Sequence, residues 1–140
     1  MSDGGDPGSP LEWLRRARSD LALAKGGRTS EDVLYQDLCF HAEQAAEKAL
    51  KALLVQRQRD FPKAHAIVEL IKILRSESID VPAAVMEAAA LTRYAVQDRY
   101  PGLARDATIE DYERAVAVAE RTLRWAEAAI PPTSSTDERN

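Results

Sequence analysis

The chain has 140 residues, of which 45% are hydrophobic and 30% charged, with a formal net charge of −4 at pH 7. This length fits one domain that buries its own core, and the negative charge argues against strong, sequence-independent binding to nucleic acid, which needs many phosphate contacts. No run approaches the ~18 apolar residues of a membrane span. The N-terminus lacks the pattern of a secretory signal. The single cysteine excludes an intramolecular disulfide. We therefore expect a cytoplasmic protein of one domain.

The N-terminal end predicts a tail followed by a capped helix. Residues 1–9 are rich in Gly, Asp, Ser and Pro, which is typical of a disordered segment. The sequence Ser-Pro-Leu-Glu at 9–12 combines a hydroxyl cap, a proline in the first turn and a glutamate three residues after the cap. We predict a helix from Pro10 to Lys25 that ends at the glycine pair 26–27.

The stretch from Val33 to Val55, VLYQDLCFHAEQAAEKALKALLV, predicts a long central helix. It contains neither Gly nor Pro and is rich in strong helix formers. Residues 29–32 give a second capping signal before it, and the helical pattern continues to about Gln58. Its apolar residues form two adjacent stripes, so other helices must enclose it. One narrow polar row remains at helical spacing: Asp37, His41, Gln44, Lys48 and Lys51.

Three further helices are predicted after a break at Pro62. The first is short and runs from about His65 to Arg75. The second begins at Pro82 and ends at the Tyr-Pro-Gly segment 100–102. The third is capped by Thr108 and carries apolar residues from 109 to 130 at steps of three and four. Residues 131–140 predict a disordered tail. The prediction for 10–130 is therefore an all-α, up-and-down antiparallel helical bundle of four longer helices and one short helix.

Motifs of common enzyme and metal sites are missing from the sequence. His41 and His65 fall on different helices, without a Cys or His at ligand spacing. Cys39 and His41 lie two residues apart on one helix and point away from each other. No Gly-rich phosphate loop occurs. We therefore expect no metal site, no cofactor and no motif-borne catalytic residue.

The polar row of the central helix is the first candidate site. A lysine and a histidine in line, with Gln44 between them, could hold a phosphate and a base edge. The alternative is a solvated or subunit-facing edge of a bundle helix.

The second candidate is the segment 93–101. Arg93, Gln97 and Tyr100 share a helix face, and Arg99 lies at the helix end. Arginine suits bidentate phosphate recognition and a tyrosine ring can stack on a base. The alternative is that Arg99 forms a structural ion pair and Tyr100 closes the end of the bundle. Spacing alone does not decide between them.

Three segments in this order resemble the HEPN domain family, the higher eukaryote and prokaryote nucleotide-binding domain. They are CFHAEQAAEKALKALL at 39–54, PKAHAIVEL at 62–70, and Arg-Tyr-Pro at 99–101 after LTRY at 91–94. The resemblance extends over about residues 11–130. It implies a helical bundle that forms homodimers, and small prokaryotic members often pair with a minimal nucleotidyltransferase in a toxin–antitoxin-like system.

Carried over position by position, Gln44, Glu47 and Lys48 match the Q-A-x-E-K helix of the family. His65 matches its histidine after the loop, and 99–101 its R-Y-P corner. With the two candidate sites above, the nucleotide- or RNA-binding candidates are His41, Gln44, Lys48, His65, Arg93, Arg99 and Tyr100.

The sequence departs from the ribonucleases of this family, which carry Arg, four to six residues and then His near the start of a late helix. No histidine follows Arg93; Arg59 and His65 fit the spacing, but Pro62 lies between them in a different loop. A general base for the ribose hydroxyl is therefore missing from the expected place. The interpretation we favour is a non-catalytic, dimeric helical bundle that binds a nucleotide, or acts as the partner or substrate of a nucleotidyltransferase, or does both. The alternatives are a ribonuclease toxin with a non-standard site and a purely structural dimerisation module.

Overall fold

The structure is a computed structural model that describes residues 8–61, 66–96, 100–102 and 105–132. Within these ranges every regular element is helical, which confirms the predicted all-α bundle. The elements are α1 (Pro10–Lys25), α2 (Tyr35–Gln56), α3 (Ile67–Ser76), α4 (Ala83–Met86), a 3₁₀ helix (Glu87–Ala95) and α5 (Ile109–Ala129). No helix in the described part of the chain is long and apolar enough to cross a membrane.

Helix α2 is the centre of the bundle and packs against α1, α3, α5 and the 3₁₀ helix. Both predicted stripes of α2 are buried, and most of their members are alanines, so neighbouring backbones approach closely. Every residue from 38 to 54 is at least partly covered, including the whole central part of the polar row. The buried residues of the two stripes are Leu38, Cys39, Ala42, Ala45, Ala46, Ala49, Leu50, Ala52 and Leu53.

Two helix ends form as the sequence predicts. At the start of α1, Ser9 Oγ accepts a hydrogen bond of 3.1 Å from the Glu12 amide, so Ser9 belongs to the helix start and not to the predicted tail. At the start of α5, Thr108 and Asp111 cap each other reciprocally, with bonds of 2.9 and 3.1 Å. The rest of the predicted tails, apart from Gly8, Pro131 and Pro132, lies outside the described residues.

The predicted capping signal at 29–32 is wrong. Helix α2 begins at Tyr35 after Leu34, which provides no side-chain cap. Ser30 Oγ instead accepts from the Asp32 amide at 3.0 Å. A serine that bonds an amide two residues ahead closes a local turn and no longer serves a helix start.

The fourth predicted helix is tighter and shorter than expected. After one α turn the chain continues as a 3₁₀ helix that ends at Ala95 and not at Tyr100. Its buried residues recur every third position, at Val85, Ala88, Leu91 and Tyr94. Three residues per turn align such positions on one face, whereas an α-helix would rotate them away from the core. The prediction of an α-helix over this whole segment is therefore wrong beyond Met86.

The buried face of helix α5 differs slightly from the predicted face. The predicted stripe consists of Ile109, Tyr112, Val116, Ala119, Leu123, Ala126 and Ile130. Ile109 is 45% exposed, whereas Ala115 and Val118, which lie outside that stripe, are buried. Tyr112 is partly covered, and its hydroxyl donates a bond of 2.8 Å to the Ala24 carbonyl at the end of α1. The last four predicted positions, Ala119, Leu123, Ala126 and Ile130, are all buried.

Candidate functional site

A buried aspartate on α1 joins two residues of the polar row on α2. Asp20 Oδ1 lies 3.1 Å from His41 Nδ1, and Asp20 Oδ2 accepts a bond of 2.6 Å from Lys48 Nζ. A carboxylate oxygen accepts this bond, so Nδ1 is the ring nitrogen that donates to Asp20, and Nε2 is the ring nitrogen left for other contacts. We call Asp20, His41 and Lys48 the α1–α2 cluster. Its side chains are 12%, 34% and 26% exposed, so a ligand can reach the two basic groups.

A second carboxyl group of this region is buried almost completely. Glu43 is 1% exposed and accepts a bond of 2.7 Å from Gln44 Nε2. Burial, together with the hydrogen bond and the charge of Glu47, raises the pKa of Glu43 to about 8. The hydrogen bond from Gln44 and the positive charge of Lys51 offset only part of this rise. Glu43 is therefore protonated at neutral pH. Sequence reasoning missed it because its helix position does not distinguish a covered glutamate from a solvated one.

The ammonium group of Lys51, the last member of the polar row, already contacts other side chains. Its ammonium lies 5.3 Å from the ring centres of both Trp13 and Phe61 and 2.8 Å from Glu47 Oε2. Aromatic faces and a carboxylate together compensate its charge. The row therefore offers ligand contacts at its middle, from His41 to Lys48, and is closed at this end.

The remaining predicted site residues belong to other segments of the chain. Tyr100 is 61% exposed, and His65 and Arg99 lie outside the described residues. Arg93 is in a different place, stacked over the Tyr94 ring at 5.5 Å. The structure therefore brings together His41, Gln44 and Lys48, whereas Arg93 lies on the 3₁₀ helix and lines a cleft that includes none of them.

Arg93 lines a cleft of about 320 Å³ between the 3₁₀ helix and α5. The cleft shares no lining residue with the α1–α2 cluster, so the molecule has two separate candidate sites. It has an apolar floor and charged side chains around it. The lining residues are Glu87, Ala90, Leu91, Arg93, Tyr94, Asp111, Arg114, Ala115 and Val118.

Neither site resembles a metal centre. Among the residues that the structure describes, no three His, Cys, Asp or Glu side chains come together in a group that could hold a metal ion. Both basic groups of the α1–α2 cluster share a single carboxylate, which suits hydrogen bonding to a ligand better than metal coordination.

Two solved structures share this fold and match the chain over most of its length. TT1696 from Thermus thermophilus is 34% identical, with a TM-score of 0.70, and the match covers 85% of this chain and 96% of that one. ST0689, described as an archaeal HEPN homologue, is 25% identical, with a TM-score of 0.69 and coverage of 88% and 98%. Comparison with functionally curated proteins gives no match.

The family model of the HEPN domain matches residues 11–129, which contain nearly all of the six described helices and both candidate sites. The match agrees with the three segments of the sequence that resemble this family. The chain belongs to the HEPN domain family.

Proposed function

We propose that this HEPN domain protein binds a nucleotide and acts in the cytoplasm as the partner of a minimal nucleotidyltransferase, in a toxin–antitoxin-like pair and without ribonuclease activity of its own. The observation that carries the proposal is the middle of the polar row on α2. Three different hydrogen-bonding groups, from His41, Gln44 and Lys48, lie there on one accessible edge of an otherwise buried helix.

The groups of the row have capacity left for a ligand. An ammonium has three N–H donors, and Asp20 accounts for one of those of Lys48. The remaining donors suit a phosphate oxygen. His41 Nε2 and the Gln44 side-chain carbonyl can accept from the N–H groups of a base edge. Because Asp20 fixes the positions of His41 and Lys48, little side-chain freedom is lost when a nucleotide binds.

Residues from elsewhere in the chain complete this proposal. Tyr100, with its exposed ring, would stack on a base or shape the pocket. Arg99 would hold phosphate and His65 would add a polar contact. The family resemblance supports a homodimer as the working form.

The position of the two histidines supports the absence of ribonuclease activity. Neither histidine follows Arg93, where the ribonucleases of this family carry theirs. Without that general base, activation of the ribose hydroxyl lacks its usual agent.

Calorimetric titration with AMP and with ATP tests nucleotide binding. Lys48→Ala and Arg99→Ala are each expected to weaken binding by about tenfold, as for the loss of one charge-assisted hydrogen bond. Lys72→Ala is the matched control, since Lys72 is an exposed helical lysine 3.9 Å from Glu69. Unchanged binding in both site variants would show that these residues do not form the nucleotide site.

A tagged pull-down from the native cell, followed by mass spectrometry, tests the partnership. A small nucleotidyltransferase in the eluate would support it. Recovery of this chain alone would remove the partner from the proposal. If, in addition, nucleotides left the melting temperature unchanged, the structural dimerisation module would become the better interpretation.

One observation favours the ribonuclease toxin as a second candidate function. The Asp20 carboxylate contacts Nδ1 of His41 and leaves Nε2 for a substrate, which is the arrangement of a general base. Under this alternative, expression arrests growth, and either His41→Gln or Arg99→Ala relieves the arrest. Growth that is unaffected by the unmodified protein would exclude it.

A further inference from the structure

We propose that the cleft between the 3₁₀ helix and α5 is a second ligand site that binds a small aromatic anion, a single ring system with one phosphate or carboxylate group. The site is separate from the polar row on α2 and does not depend on the function proposed above. Its chemistry combines an apolar floor with two arginines at the rim.

The floor of the cleft fits a flat apolar body. Leu91, Ala115 and Val118 line the cleft and are otherwise buried in the protein core, and Tyr94 is only 7% exposed. The volume of about 320 Å³ is at the lower end of the range for small-molecule sites, ~300–1,000 Å³. This space accepts one ring system and is too small for a helix of a partner protein.

The two arginines supply the contacts for an anion. Arg93 stacks over Tyr94, which holds its guanidinium at the side of the cleft. Arg114 reaches the cleft from α5, is exposed, and has no hydrogen-bond or ion-pair partner among the described residues. Guanidinium groups donate paired hydrogen bonds to phosphate and carboxylate oxygens.

The carboxylates of the cleft are already engaged. Asp111 accepts from the Thr108 amide at 2.9 Å and from Arg105 at 3.2 Å, and the bond from the Thr108 amide is the main reason that its pKa is lowered. Glu87 lies 3.9 Å from Arg121, outside the lining. Because these partners offset both negative charges, the exposed Arg114 leaves the rim attractive to an anion.

A titration with phenyl phosphate, followed by amide chemical shifts and by calorimetry, tests the site. Shifts are expected to be confined to residues 87–94 and 111–118. Arg114→Gln should weaken binding by about tenfold. Arg75→Gln is the matched control, because Arg75 is also an exposed helical arginine outside the cleft, and it should bind phenyl phosphate as the unmodified protein does.

Two further measurements distinguish binding in the cleft from attraction of anions to surface arginines alone. Ala90→Leu places a larger side chain at the exposed rim of the cleft without changing charge and is expected to abolish binding. Inorganic phosphate should bind at least about tenfold more weakly than phenyl phosphate, because it cannot use the floor. Equal binding of the two anions, or full binding by Ala90→Leu, would overturn the proposal.

The polar row gives the last control. Lys48→Ala should leave phenyl phosphate binding unchanged even if it weakens nucleotide binding. Shifts that occur on α2 around Lys48, and not in the cleft, would show that phenyl phosphate uses the row and would overturn the cleft as its site.

Discussion

Replacement of the buried Glu43 by glutamine should make the protein more stable at alkaline pH. The side chain is 1% exposed and its folded-state pKa is about 8, against 4.5 for an unperturbed glutamate. Between these values the folded state keeps a proton that the unfolded chain has released, so unfolding releases a proton and stability falls as pH rises. The loss flattens above the folded-state pKa.

The size of the effect follows from the two pKa values. Their difference is about 3.5, and each pH unit corresponds to about 1.4 kcal/mol, so the full effect approaches ~5 kcal/mol. Between pH 5 and pH 8 the loss is roughly 3 kcal/mol. A glutamine keeps both hydrogen bonds, because its carbonyl accepts from Gln44 and its amide donates to Glu47, but it cannot ionise.

Urea denaturation followed by circular dichroism, at pH 5 and at pH 8, measures the effect. Glu43→Gln should match the unmodified protein within about 1 kcal/mol at pH 5 and exceed it by roughly 3 kcal/mol at pH 8. Glu69→Gln, at an exposed glutamate, is the control and should follow the unmodified protein at both pH values. Parallel pH dependence of Glu43→Gln and the unmodified protein would refute the buried, protonated carboxyl.

Two further predictions concern the fold. Thr108→Ala removes the cap of α5 and should lower the free energy of unfolding by about 1 kcal/mol. Ser30→Ala, at a serine that caps no helix, should change this free energy by less than about 0.5 kcal/mol. Equal losses in the two variants would contradict the observed start of α2. Leu50→Ala opens a cavity at a fully buried position of α2 and should cost about 2–5 kcal/mol. Leu23→Ala, at a leucine that is 55% exposed, should cost less than about 0.5 kcal/mol, and similar losses for the two leucines would contradict the packing of α2. Urea denaturation at neutral pH measures all four variants.

The sequence by itself determined the order of the helical segments, both ends of α1 and the start of α5. Strong helix formers without Gly or Pro made the centre of α2 predictable, and the caps of α1 and α5 use bonds between residues three apart. The buried stripe of α2 follows from helical periodicity in the same way, as does that of α3, formed by Ile67, Leu70, Ile71 and Leu74. These features are local, so they can be read from neighbouring positions. The three family segments likewise predicted the family that the domain match shows.

Only the tertiary structure decided which polar groups meet. Asp20 and Lys48 lie 28 positions apart in sequence, and nothing in either helix alone indicates that their side chains form a 2.6 Å bond. The same holds for the cleft that is lined by both Arg93 and Arg114. Helical periodicity also predicted an α-helix for the fourth helical segment, whereas this segment packs against the core as a tighter 3₁₀ helix from Glu87 to Ala95. The physical reason is that helix crossing and side-chain rotamers set contacts between elements, and a one-dimensional pattern specifies neither.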